Sequence, residues 1–190
     1  MTQKLWLKKL KLNYSSNVID IVQFGSSIFE DSDPNDIDMG IIFKKIPIRT
    51  QLEESQKIKN QLEKKLKLKF DVKPYDFYSL LHKSNFAREG ILFYGKSILS
   101  GKEFAKQFGL TPKIRIKYDL SNLKKKEKVK FNYTLSGKQK SYGLLRKYNG
   151  RLVSPKIVEI NPEHEKIFMK KLLSITKKLE IEKIFIQGRE

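Results

Sequence analysis

Residues 24–43 read FGSSIFEDSDPNDIDMGIIF. The stretch opens on Gly25-Ser26, runs through five acids and sets Asp36 and Asp38 one residue apart, directly before an apolar run. Residues two apart on a strand project to the same face, so the two carboxylates stand side by side. Alone they repel and raise one another's pKa. A divalent cation removes that penalty, and Mg²⁺ is the natural occupant because it takes carboxylate oxygens together with substrate phosphates. Upstream, glycine allows backbone close to a ligand, and exposed N–H groups beside a serine hydroxyl hold phosphate oxygens. Acids for a metal next to donors for phosphate suggest chemistry on a nucleoside triphosphate. The competing reading is a plain turn, since SDPND is turn chemistry in any protein.

Outward from this stretch, VIDIVQF (18–24) reads as a buried strand and IDMGIIF (37–43) as the next one. Residues 50–65 read as a helix with Thr50 as N-cap, a capping box to Glu53, and a thin apolar stripe of Leu52, Ile58 and Leu62. LKLKFDVKPYD (66–76) alternates, with Leu66, Leu68, Phe70 and Val72 on one face and Lys67, Lys69, Asp71 and Lys73 on the other. That is a half-buried strand offering Asp71 as a third carboxylate, with Asp76 competing for the role. Residues 77–89 read as a helix stopped by Gly90, followed by the apolar segment 91–95 and a short helix near 101–108. The order over residues 18–89 is β, β, α, β, α. The segment 2–16 reads as a short amphipathic helix with Trp6 as a packing anchor. His82 reads as structural, and Glu30, Asp31 and Asp33 as a solvated loop.

These residues carry a resemblance. An apolar strand, Gly25-Ser26, a nine-residue spacer, Asp36-Ile37-Asp38 and a later Asp71 on a neighbouring strand resemble the minimal nucleotidyltransferases of the DNA polymerase beta superfamily. REGILFYGK (88–96) looks like a segment common after that domain. The resemblance covers roughly residues 15–105. It implies a mixed sheet with flanking helices and two Mg²⁺ ions, replaceable by Mn²⁺, held by Asp36, Asp38 and Asp71 as catalytic and metal ligands. It further implies that Gly25, Ser26 and Ser27 bind the nucleotide, with ATP the favoured triphosphate, and that an acceptor hydroxyl attacks the α-phosphate in line while pyrophosphate leaves. The family's Gly-Ser is often followed by an arginine; here the loop carries no cation. Neutralisation of phosphate must come from elsewhere, and Lys69 and Lys73 are the nearest candidates by sequence.

The composition narrows the partners. There are no cysteines, which excludes disulfides and thiolate metal sites, and two distant histidines make a zinc site improbable. No apolar run approaches the roughly 20 residues of a membrane span, and the N-terminus lacks the apolar core of a secretion signal, so a soluble cytoplasmic protein is expected. The net charge is +19, carried by 34 lysines and only 6 arginines. Such a skew can be composition bias, yet its field favours polyanions whatever its origin. Residues 112–190 alone carry 21 cations and 8 acids. GLTPK (109–113) reads as a boundary, giving a catalytic domain over 1–110 and a small basic α+β domain over 111–190.

In that second half, 114–120 alternates like a strand, and 121–137 reads as a helix between Ser121 as cap and Gly137 as stop. Asn149-Gly150 signals a hairpin. Residues 161–179 read as a helix with Asn161 as cap, and IEKIFIQ (181–187) as a closing strand. Lys124, Lys125, Lys128, Lys138, Lys140, Arg146, Lys147 and Arg151 are candidate nucleic-acid contacts, interleaved with Tyr133, Tyr142 and Tyr148. The expected activity is therefore nucleotidyl transfer to RNA or another anionic acceptor, with a protein partner also open. Two alternatives stand beside it: AMP transfer to a protein hydroxyl, as in antitoxin-type members of that family, and a catalytically silent nucleic-acid-binding protein.

Overall fold

The computed structural model describes residues 7, 9–29, 32, 34–138 and 141–188. The readings placed on Trp6, Glu30, Asp31, Asp33 and Lys140 lie outside the described residues. The chain is mixed α+β and divides into two compact units, Met1–Gly109 and Leu110–Glu190.

The first unit contains, in order, β1 (Val18–Phe24), β2 (Ile37–Phe43), α1 (Ile48–Leu66), β3 (Phe70–Asp76), α2 (Phe77–Leu81), α3 (Ala87–Glu89) and β4 (Lys96–Ser97). The sheet order is β3-β2-β1-β4. β1 is antiparallel to β2 and β4, and β2 runs parallel to β3. A parallel neighbour requires a crossover, and α1 supplies it. On one face Ile21, Met39, Ile41, Phe43 and Phe70 pack on Ile58 and Leu62 of α1. On the other, Val22 and Ile42 pack on Leu80, Ile91 and Phe104. Burial on both faces is why these strands are nearly continuous apolar runs. Each such side chain contributes about 1.5–3 kcal/mol.

Several local expectations are corrected. α1 starts two residues early, after Pro47, so Thr50 lies inside the helix and no capping box forms; Glu53 instead takes Arg49 at 3.1 Å. Its buried line is Gln51, Ser55, Ile58 and Leu62, while Leu52 is exposed. Leu66 ends that helix, Lys67 adopts the left-handed region at φ 53°, and β3 begins only at Phe70. Pro74 is tolerated in β3 because β3 is an edge strand. The helix expected over 77–89 is broken between α2 and α3. Gly90 does not stop it, because its φ of −55° and ψ of −44° are helical and a wide turn continues to Tyr94. Residues 9–15 are not helical.

The second unit contains β5 (Leu110–Tyr118), α4 (Lys125–Ser136), β6 (Gly137–Lys138), β7 (Ser141–Tyr142), α5 (Leu144–Lys147), β8 (Arg151–Ser154), β9 (Ile157–Ile160), α6 (Glu165–Leu173) and β10 (Leu179–Gln187). Its antiparallel sheet has the order β10-β5-β9-β8. Ile114, Ile116, Val158, Phe131, Phe168 and Leu172 are buried. Glu159, 2 % exposed, is held by Arg115 at 3.3 Å and Arg151 at 2.9 Å. The two arginines offset the cost of burying this charge. The strand β5 runs through Pro112, so only Gly109, at φ 68°, breaks the chain there. Asn149-Gly150 makes no hairpin: Asn149, at φ 51°, follows α5, and the hairpin joins β8 to β9 through Pro155-Lys156. Ser121 does not cap α4; it binds Asp119 at 2.6 Å, and Glu127 accepts the Lys124 N–H at 2.8 Å. The helix expected over 161–179 is shorter, with α6 ending at Leu173.

Asp20, 2 % exposed in β1, accepts hydrogen bonds from Ser97 at 2.8 Å and from Gln107. Burial pushes its carboxyl above the usual range, against the lowering effect of these donors. Its folded pKa thus exceeds the unfolded one, so the folded state loses stability as pH rises through the interval between them. The melting temperature of Asp20→Asn minus that of the wild type should therefore climb from pH 4 upward and then level. A difference that is flat or falls across that interval would contradict the burial argument.

Candidate active site

Strand pairing assembles the site at one end of the first sheet. Phe24 faces Asp38 across β1 and β2, and Asp38 lies in register with Asp71 across β2 and β3. Asp36 lies in the bend just before β2. The turn Gly25–Ile28 leaves the end of β1 with Gly25 at φ 71°. A Cβ on Gly25 would sit 2.0 Å from Asp38 Oδ2 and 2.7 Å from its Cγ. Glycine is required twice over, for the backbone angle and for the space the carboxylate fills.

Asp38 is half-buried. Its carboxyl is raised from the usual range first by desolvation, then by the charge of Asp36, then by that of Asp71, with Lys73 pulling the other way. Asp36 and Asp71 thus both bear on Asp38 electrostatically. Lys73 Nζ lies 2.8 Å from Asp71 Oδ2, and this bond is the largest cause of the lysine's raised pKa. Tyr75 follows on the same face of β3; burial raises its phenol.

Asp76 is removed from competition. It closes β3 and caps α2, its Oδ1 accepting from the N–H groups of Tyr78 at 3.0 Å and Ser79 at 3.1 Å. Ser26 is exposed at the turn, whereas Ser27 is 3 % exposed. The Ser27 hydroxyl accepts from Gln23 Nε2 at 3.0 Å and donates to the Phe24 carbonyl at 3.2 Å. These bonds hold Ser27 within the turn. Ser32 folds back on the turn, donating to the carbonyls of Phe29 and Ser26. His82 is exposed and bonded locally to Ser84 at 2.7 Å.

Two features went unread in the sequence. Gly40 lies on the site face between Asp38 and Ile42, where a Cβ would come within 3.0 Å of Ile91; a lone glycine inside an apolar strand was the available signal. The second is the pairing of Lys73 with Asp71, signalled only by the i, i+2 spacing.

Among the described residues, no three His, Asp or Glu side chains close into a ready cation cage. The donors nevertheless suit a hard divalent ion, being all carboxylate oxygen. Asp38 is half-desolvated beside two like charges, and Lys73 holds Asp71.

In the second unit Lys124 and Lys125 are exposed at the start of α4 and Lys128 is half-buried. Lys138 lies 5.4 Å from the Tyr133 ring centroid, the Arg146 guanidinium 4.2 Å from that of Tyr142, and Lys147 5.0 Å from that of Tyr148. Tyr148, half-buried, packs on His164 and Phe168. Arg151 is engaged with Glu159.

Compared with protein-family models, curated proteins and solved structures, the chain matches none.

Gly25→Ala should cost about 1–3 kcal/mol in urea unfolding, from the left-handed backbone angle and the displaced carboxylate. Unchanged stability would mean that the turn does not clasp Asp38. Separately, Asp36→Asn should lower the Asp38 pKa in a carboxyl-carbon NMR titration, and an unmoved titration would place Asp36 out of range.

Proposed function

We propose that the first unit is a Mg²⁺-dependent nucleotidyltransferase that moves a nucleoside monophosphate from a triphosphate, with ATP favoured, to an acceptor hydroxyl. The observation that carries this reading is the clasp of Gly25 on Asp38, with Asp36 and Asp71 within electrostatic range of the same carboxylate. The strand order and the Gly-Ser turn are also what a polymerase-beta-like fold would present.

In this reading Asp36 and Asp38 hold the triphosphate's cation, and Asp71 joins them on the acceptor side. Bound Mg²⁺ supplies charge neutralisation for the phosphates and lowers the pKa of the acceptor hydroxyl. Gly25 gives the phosphates close access to the backbone, and the exposed hydroxyl of Ser26 donates to their oxygens. Ser27 and Gln23 keep that turn rigid. Lys73, held 2.8 Å from Asp71, would supply near the phosphates the positive charge missing from residues 28–35. The gain is positioning and charge complementarity rather than covalent catalysis.

The acceptor in this reading is RNA. The second unit's 21 cations against 8 acids support an anionic partner, and a small protein-modifying enzyme has no need of that excess.

Asp36→Ala with Asp38→Ala should reduce transfer of label from α-³²P-ATP by at least about 10³-fold. The melting temperature should hold or rise, because the substitutions remove like charges. Retained transfer would overturn the site, and an unfolded variant would overturn the claim that these carboxylates serve function rather than stability.

A further inference from the structure

Residues 124–151 hold ten cations and a single acid, Glu127. That acid is committed, since its carboxylate accepts the Lys124 N–H. The segment spans α4, the short β6–β7 hairpin and α5. Only Phe131 and Leu135 of α4 are buried, so the rest of that helix meets solvent. Two large rings are exposed among the charges: Tyr133 at 45 % and Tyr142 at 65 %.

The backbone brings these rings into one neighbourhood. Gly137 caps α4 by donating its N–H to the Tyr133 carbonyl, and Gly137 is also the strand partner of Tyr142. Gly143 locks the arrangement, because a Cβ there would meet the Gly137 nitrogen and the Leu135 carbonyl oxygen, each at 2.3 Å. Each ring carries its own cation, Lys138 for Tyr133 and Arg146 for Tyr142. The cation–π contact draws each charge to its ring, and both rings remain largely open to solvent.

We propose that this surface binds single-stranded nucleic acid, with phosphates on the lysines and arginines and bases stacked on the open faces of Tyr133 and Tyr142. Charge alone would draw any polyanion. Exposed rings beside the charges select a strand whose bases are free to unstack, because a duplex keeps its bases inside. An acidic protein would use the lysines and leave the rings idle. The proposal leans on the nucleotidyl-transfer reading only for what is done to the bound strand, which would then be the acceptor.

The test is fluorescence anisotropy of the full chain in EDTA. The probes are a labelled oligouridine of roughly 12 nucleotides, within the span such surfaces cover, an RNA duplex of the same length, and heparin as a polyanion without bases. The oligouridine should bind about tenfold or more tightly than the duplex. Tyr142→Ala and Tyr133→Ala should each weaken it at least about fivefold, the lower limit for loss of one stacked base. Tyr142→Phe should restore binding, and heparin affinity should stay within about twofold for all three variants. Equal or tighter duplex binding, absent oligouridine binding, or indifference to both alanine substitutions would overturn the proposal. So would equal losses on heparin, which would mark the rings as structural. The assay contains neither free divalent cation nor triphosphate, so failure of the transfer reading and failure of this one give different results.

Discussion

The carboxylate of Asp38 occupies the space in which any residue other than glycine at position 25 would carry its Cβ. That contact ties the end of β1 to the start of β2 and fixes where the Gly-Ser turn stands relative to the acids. It depends on register. A slip of one residue between β1 and β2 would turn Asp38 to the opposite face and place Met39 or Ile37 at the turn. Burial of both sheet faces prevents that slip, because each strand has large apolar side chains committed to each side.

The site therefore inherits its geometry from the core and works against it electrostatically. Three carboxylates at one sheet end are unfavourable, and the Asp38 pKa is raised first by desolvation and then by the charges of Asp36 and Asp71. The surrounding chain offsets it in part through Lys73, a cation on the edge strand paired with Asp71. Local strain of this kind is tolerated where the rest of the fold has stability to spare. In the second unit the analogous tension is the buried Glu159, and two arginines resolve it permanently.

What the sequence discloses divides along physical lines. β1 and β2 are legible to the residue because each is a continuous apolar run bounded by turn formers. The pairing of Asp38 with Asp71 follows once β3 is recognised, although alternation over Leu66 and Leu68 draws that strand out too early. The start of α1 is obscured by Thr50 and Glu53, a capping pattern placed where Pro47 had already set the first turn. Asn149-Gly150 misleads because a residue with positive φ serves a helix end as well as a hairpin. The burial of Ser27 and the engagement of Arg151 depend on Gln23 and Glu159, and neither side-chain partner is announced by local pattern.

The most direct measurement is anomalous diffraction from crystals soaked with Mn²⁺ and a non-hydrolysable ATP analogue. The account predicts a Mn²⁺ peak within about 2.3 Å of oxygens of Asp36 and Asp38, a range set by small divalent ions on carboxylates. It also predicts analogue phosphates against Gly25 and Ser26. Analogue bound elsewhere, or carboxylates with no metal between them, would contradict it.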